Sequence, residues 1–288
     1  MNLKSFAKVN LYLQVINKRL DSYHSVRTVF ERISLFDSIT LKKRKDNEIR
    51  VSSDDRSLPA GKGNLCFKAA KLLRDQFYPS RGLDIKIIKR IPVGAGLGGG
   101  SSNAAVVLLG LNKLWGLKLS KKRLAKFAVK IGSDVPFFIY EKPFAYGFGR
   151  GEKIEPIKGL NKARLWHLLI VPKIHVSTPL IYDKWDSFTV LTKPSCNVKI
   201  LTSALSKNEA LPAFNLFFNS LEQVTIKLYP QVKHAEDLLL SLGLNHVLMS
   251  GSGPAVFGIV PSRKKALKLA EALRRKYKTW RFFAVSTA

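Results

Sequence analysis

Five glycines crowded between a strand and a helix constrain this chain more than any other feature. The segment Ile91 to Ala105 reads IPVGAGLGGGSSNAA. Before it, Leu83, Ile85 and Ile87 alternate with Asp84 and Lys86, the two-residue period of a strand. After it, Ala104 to Leu114 is too long and too apolar for a strand, and the pattern predicts a buried helix. The glycines therefore meet a helix N-terminus, where the first N–H groups lack intrahelical partners and the macrodipole is positive. Pro92 and Val93 lead in, Ala95 and Leu97 are interspersed, and Gly94, Gly96, Gly98, Gly99 and Gly100 remove Cβ atoms that would hold an anion off those N–H groups. Ser101, Ser102 and Asn103 are placed to cap the helix or donate to the anion. The expectation is a loop that wraps a polyphosphate.

Three other glycine motifs fit less well. A Walker A loop ends in Gly-Lys-Ser/Thr, and this run ends in Gly-Ser-Ser-Asn. A dinucleotide fingerprint needs an acid further along for the ribose, where this chain reads LKLSKKR. A protein-kinase loop requires HRD and DFG, and neither string occurs.

Composition points to a globular enzyme. The 288 residues are 46% hydrophobic, enough for two modest cores. Cys66 and Cys196 are isolated, which suits a reducing compartment and gives no metal-ligand spacing. No apolar run is long enough to span a bilayer and no h-region follows Met1, so a cytoplasmic protein without membrane partners is expected. The formal net charge of +29 invites a basic RNA-binding reading. Its clusters, such as Lys42 to Lys45 and Arg274 to Lys276, are scattered and match no recognised module, so no specific nucleic acid is expected. Diffuse positive potential instead favours anionic small molecules. No feature sets an oligomeric state.

In the first strand, Val9, Leu11, Leu13 and Val15 alternate with Asn10, Tyr12 and Gln14, so Lys8, Asn10 and Tyr12 share a face. Further strands are expected at Val26–Phe30, Ile39–Leu41 and Ile49–Val51, then a helix capped by Asn64 and another capped by Ser120 and ended by Gly132, just before Asp134. Past Pro156 helices and strands alternate. Trp166–Val171 reads as a strand, Thr178-Pro179 as an N-cap and first helical residue, Gln231–Leu242 as a helix, and Val247–Val260 as two strands around a glycine turn. A basic helix and a strand at Arg281–Val285 follow, an order that suits a ferredoxin-like α+β layer. The domains are placed at residues 1–155 and 156–288.

The strings SFAKVNLYLQV, DSYH, IPVGAGLGGGSSNAA, IGSDVPFF and MSGSGPAVFG, in that order over nearly the whole chain, resemble the GHMP kinases. Within them the branch that acts on a cytidine diphosphate-linked methylerythritol fits best, because Leu11 to Gln14 stand where the galactose and mevalonate branches carry Gly-Glu-His. The resemblance implies a two-domain α+β fold, with an N-terminal domain like ribosomal protein S5 domain 2 and a ferredoxin-like C-terminal domain. It implies ATP as phosphoryl donor, Mg²⁺ with it, and a small-molecule alcohol as acceptor; another small-molecule kinase of the same superfamily is the alternative. It makes Asp134 the base and Lys8 its companion, puts Tyr23 and Tyr182 on the faces of a cytosine with His24 on its edge, and brings Asn10 and Gly251-Ser252-Gly253 to the substrate. Phe6, Ser22 and Ser133 depart from the usual Pro, Gly and Ala. Ser22 matters most, because glycine there supplies a positive φ that serine enters only at a cost.

Overall fold

The computed structural model describes every residue except 79, 161–162, 188–197 and 207–216. Cys196 lies outside the described residues. Two long strands, β1 (Asn2–Lys18) and β2 (His24–Arg44), pass through both of two compact units. The expected strands at Val26–Phe30 and Ile39–Leu41 are one strand, because neither glycine nor proline interrupts the run from His24 to Arg44.

The first unit comprises Met1–Ala7, Leu35–Val93 and Gly98–Lys142. It adds β3 (Ile49–Ser53), α1 (Leu65–Phe77), β4 (Gly82–Ile88), α2 (Gly99–Leu114), α3 (Lys121–Val129) and α4 (Val135–Ile139). β4 pairs antiparallel with β2, Ile85 opposite Leu41, and parallel with β3. Asn64 caps α1 by accepting from Cys66 N at 2.8 Å, and Ser120 caps α3 by accepting from Arg123 N at 3.2 Å. α3 stops at Val129, short of Gly132, because its last turn tightens to three-residue bonds, Lys130 N to Phe127 O at 3.1 Å and Ile131 N to Ala128 O at 2.9 Å. Burial pushes the Cys66 thiol up to about 12, which makes it an inert core residue.

The second unit comprises Lys8–Ser34, Gly94–Leu97 and Pro143–Ala288. Its elements are β5 (Phe144–Phe148), β6 (Lys153–Pro156), β7 (Trp166–Val171), α5 (Thr178–Asp186), α6 (Val198–Ser206), β8 (Phe218–Asn219), α7 (Glu222–Leu228), α8 (Pro230–Ser241), β9 (Val247–Met249), β10 (Val256–Val260), α9 (Arg263–Lys276) and β11 (Arg281–Ser286). An antiparallel sheet runs β11-β7-β10-β9, and with the intervening helices it gives the expected ferredoxin-like order. Leu168 and Ile170 from β7, Val256 from β10, Leu239 from α8 and Leu273 from α9 bury one face of this sheet. The α5 cap is Ser177, one residue earlier than expected, with Thr178 and Pro179 as the first helical pair. Proline is tolerated there because the first-turn N–H groups have no helical acceptor. No described helix is long and apolar enough to cross a membrane.

Candidate functional site

Along the glycine loop, buried Ala95, Leu97 and Gly99 alternate with Gly94, Gly96, Gly98 and Gly100, which are exposed or half-exposed. One side anchors the loop and the other is bare backbone. Gly98 is the N-cap of α2 at φ 66°, ψ 19°, a left-handed conformation that glycine enters freely, and no side chain caps the helix. The first intrahelical bond is Ser102 N to Gly98 O at 2.8 Å, so the N–H groups of Gly99, Gly100 and Ser101 precede it. The expected capping by Ser102 and Asn103 is absent. Both are buried, at 2.7 and 2.6 Å from Ser5 Oγ, so these groups are committed inward. Before the loop, Asp37 Oδ1 accepts from Arg90 N and Ile91 N at 2.7 and 2.8 Å, while Lys89 Nζ lies 2.9 Å from Oδ2. This buried pair holds the end of β4 at the point where the loop departs.

Gly94 to Leu97 lies against the β9–β10 turn. Ala255 N donates to Ala95 O at 3.2 Å and Ser250 Oγ to Gly96 O at 3.0 Å. A Cβ on Gly96 would sit 2.0 Å from Ser250 O, at φ 76°, so only glycine fits. Asn219 Nδ2 donates to Met249 O and Gly251 O at 2.9 and 2.7 Å, and Ser252 Oγ lies 2.7 Å from Thr178 Oγ1. The expected glycine turn of Gly251-Ser252-Gly253 is thus brought to the glycine loop.

Lys8 and Asn10 meet as the strand period requires, Lys8 Nζ donating to Asn10 Oδ1 at 2.6 Å. Lys8 is buried, and the chain of bonds continues through Asn10 Nδ2 to Thr28 Oγ1 at 2.8 Å and on to Tyr12 O at 2.6 Å. Lys8 N also donates to Leu97 O at 3.0 Å. A Cβ on Gly251 would stand 3.5 Å from Lys8 Nζ, so the lysine head lies at the same turn. Asp134 occupies the N-cap position of α4 in helical geometry, φ −82°, with no side-chain cap bond. It is half-buried.

The β1–β2 hairpin carries a second group of expected residues. Ser22 has φ 65°, the left-handed conformation anticipated for a glycine there, in a turn closed by Ser22 N to Arg19 O at 3.2 Å. Tyr23 is 53% exposed, with the Arg150 guanidinium 4.7 Å from its ring centre. His24 is buried and meets Tyr182, the ring centres 4.9 Å apart and tilted by 32°. Trp185 lies nearly perpendicular to the same imidazole, the ring centres 5.8 Å apart. His24 Nε2 lies 2.7 Å from Asp186 Oδ1, and Lys18 Nζ donates to Asp186 Oδ2 at 2.6 Å. Desolvation pushes the Asp186 carboxyl up, but the hydrogen bonds from Lys18 and His24 outweigh it and hold the group below the usual carboxylate range. Sequence reading found Tyr182 and missed Asp186, although positions i, i+3 and i+4 of α5 (Tyr182, Trp185, Asp186) share one helix face. Ser250 and Asn219 were also missed, and nothing local marks them.

GHMP kinases N terminal domain matches residues 64–142 and GHMP kinases C terminal matches residues 201–279. The 4-diphosphocytidyl-2-C-methyl-D-erythritol kinase of Syntrophotalea carbinolica is 42% identical over 97% of this chain and 96% of its own. The chain belongs to the GHMP kinases. The protein named 4-diphosphocytidyl-2-C-methyl-D-erythritol kinase in Alkaliphilus metalliredigens is 40% identical over 96% of this chain and 94% of its own. A crystal structure of 4-(cytidine 5'-diphospho)-2C-methyl-D-erythritol kinase superposes with a TM-score of 0.81 at 34% identity, covering all of both chains. The mevalonate kinase of Methanococcus jannaschii shares the GHMP fold at a TM-score of 0.72 and 16% identity, covering 100% of this chain and 98% of its own. This GHMP kinase is an ATP-dependent enzyme acting on a small molecule.

Proposed function

We propose that this GHMP kinase transfers the γ-phosphoryl group of ATP to the 2-hydroxyl of 4-diphosphocytidyl-2-C-methyl-D-erythritol, in the non-mevalonate route to isoprenoid precursors. The observation that carries this reading is the 42% identity over nearly the full length to a relative of that name, against 16% for a mevalonate kinase of the same fold. In the proposal the backbone N–H groups of Gly94 to Ser101 hold the phosphates, since phosphoryl transfer depends mostly on positioning and electrostatics. Asp134 takes the hydroxyl proton, and Lys8, held by Asn10, offsets charge that grows at the reacting oxygens. Gly251 to Gly253 closes on the phosphates, while Tyr23 and Tyr182 stack on the cytosine and His24 bonds its edge.

Mg²⁺ belongs to the same proposal. No cluster of three or more His, Cys, Asp or Glu is poised for a metal among the described residues. Mg²⁺ is ordinarily bound through substrate phosphates and water with one or two carboxylates, so it would be held chiefly by the ATP phosphates at the glycine loop. The metal would neutralise charge between the phosphates. We also propose the family's two halves as residues 1–155 and 156–288, with one matched segment in each. Cytoplasmic residence goes with ATP as donor.

The test is turnover of the purified protein with ATP and 4-diphosphocytidyl-2-C-methyl-D-erythritol, with mevalonate and homoserine in parallel. A new phosphomonoester ³¹P resonance and equimolar ADP are expected for the cytidine substrate alone. Preferred turnover of either other alcohol would overturn the assignment.

A further inference from the structure

We propose that Asp186 is a positioning residue that fixes His24 with its Nδ1 as an acceptor, and so selects cytidine diphosphate-linked over uridine diphosphate-linked substrates. The inference rests on the cytidine reading given above. Asp186 Oδ1 is 2.7 Å from His24 Nε2, and Oδ2 accepts from Lys18 Nζ at 2.6 Å. The Lys18 ammonium on Oδ2 holds the group as a carboxylate, which accepts at Oδ1 and offers no proton of its own. Nε2 is therefore the protonated nitrogen, and in the neutral imidazole Nδ1 keeps its lone pair. Tyr182 against the ring face and Trp185 set perpendicular to it restrict rotation of the imidazole, so the acceptor direction is fixed as well as its chemistry.

Cytosine and uracil differ at the atom that such an acceptor reads. Cytosine carries an exocyclic amino group, a donor, where uracil carries a carbonyl. An Nδ1 lone pair accepts from the amino group and faces a second lone pair in uracil. Discrimination of this kind is strong because a mismatch leaves two buried polar groups unpaired. Lys18 contributes by holding Asp186 ionised, since a protonated carboxyl could reverse the bond and move the imidazole proton to Nδ1.

Asp186→Asn reverses the pattern directly. An amide is nearly isosteric, and its NH₂ can donate to Nε2 and leave the imidazole proton on Nδ1. Three readouts separate positioning from a structural role. Long-range ¹H–¹⁵N spectra of ¹⁵N-histidine protein, with His24→Gln to assign the resonance, should show a protonated Nε2 in the parent and a protonated Nδ1 in Asp186→Asn. The affinity ratio of CDP to UDP, by competition, should fall by roughly 10- to 100-fold in the variant, the usual cost of losing a group that orients a ligand. KM for the cytidine substrate should rise while KM for ATP stays within about twofold, and Asp186→Glu should restore part of the ratio.

A parent protein with Nδ1 protonated overturns the proposal with no variant needed. So does a folded Asp186→Asn protein with an unchanged CDP to UDP ratio. Failure of the cytidine reading looks different, because the parent protein itself would then bind CDP and UDP alike and leave the cytidine alcohol unphosphorylated.

Discussion

The glycine loop and the His24 cluster are built on opposite plans. The loop from Gly94 to Ser101 is contiguous, presents backbone N–H groups, and owes its shape to side chains that are missing. The cluster joins residues 162 positions apart, His24 on a hairpin and Asp186 on α5, and depends on what the side chains carry. A backbone site is insensitive to the chemistry of substitution and intolerant of any added volume. A side-chain site is the reverse, since it survives changes of size and fails when a donor becomes an acceptor. Phosphate is common to many substrates and a particular base is not, which suits the first plan to the nucleotide and the second to specificity.

The largest effect is expected where neither region is touched. Asp134→Asn keeps the shape but removes the proposed base, so kcat should fall by roughly 10²–10⁴ while ATP and CDP affinities hold. Calorimetry for binding and single-turnover chemistry for rate check the two halves. A near-normal kcat would leave the two binding regions, by positioning alone, as the whole of the catalysis. Lys8→Met should also lower kcat, and the double variant should be little worse than the more damaged single one if the two groups act together.

Two alanines within the loop sharpen the contrast. Gly96→Ala forces a Cβ to within 2.0 Å of Ser250 O at a left-handed φ, and should cost on the order of 3 kcal/mol of stability with loss of ATP binding. Gly100 meets only Leu65 Cδ1 at 3.5 Å and has ordinary helical backbone, so Gly100→Ala should keep or slightly raise the melting temperature. Its methyl group would nonetheless stand on the exposed side of the helix start, and KM for ATP should rise. An unchanged KM would place the nucleotide away from that side of the loop.

The different plans also explain what the sequence revealed. The loop, the Lys8–Asn10 contact, the Asn64 and Ser120 caps and the strain at Ser22 are all local, set by neighbours within a few residues, and each appears where expected. The ferredoxin-like order was legible because its strands and helices alternate cleanly from Trp166 onward. What escaped depends on tertiary contact. Ser102 and Asn103 look like caps until Ser5 arrives from β1, and Ser250 looks like an ordinary turn serine until Gly96 O is placed against it. Asp186 needed only the helix spacing from Tyr182 to be suspected, but its partner, His24, could not be read from spacing.

On the side-chain plan, Tyr182→Ala should remove about 1–3 kcal/mol of stacking and raise KM for the cytidine substrate far more than KM for ATP. Tyr182→Phe should behave like the parent, since a ring suffices for stacking and for covering His24. Equal losses for both substrates would make Tyr182 a core residue and detach it from nucleobase recognition.

The smallest effect probes what stands behind the loop. Glu222 Oε2 accepts from Met249 N at 2.7 Å, the residue that leads into the Ser250 to Gly253 turn. Desolvation raises its carboxyl to about 7, and desolvation with repulsion from Glu222 raises that of Glu236 to about 9. The pair keeps a shared proton where exposed carboxyls have lost theirs. Because the unfolded chain ionises first as pH rises, this stabilisation is fully present below the ordinary carboxyl range and is lost as pH climbs through about 7 to about 9. Glu236→Gln removes one ionisation while keeping a hydrogen-bonding partner for Glu222. The variant should therefore lose less stability than the parent between pH 5 and pH 9, by an amount on the order of 1 kcal/mol, in paired thermal or urea melts. If KM for ATP in the parent also rises over that window and the variant flattens it, the carboxyl pair supports the turn on which Gly96 rests; parallel stability curves for the two proteins would show that the pair carries no such proton.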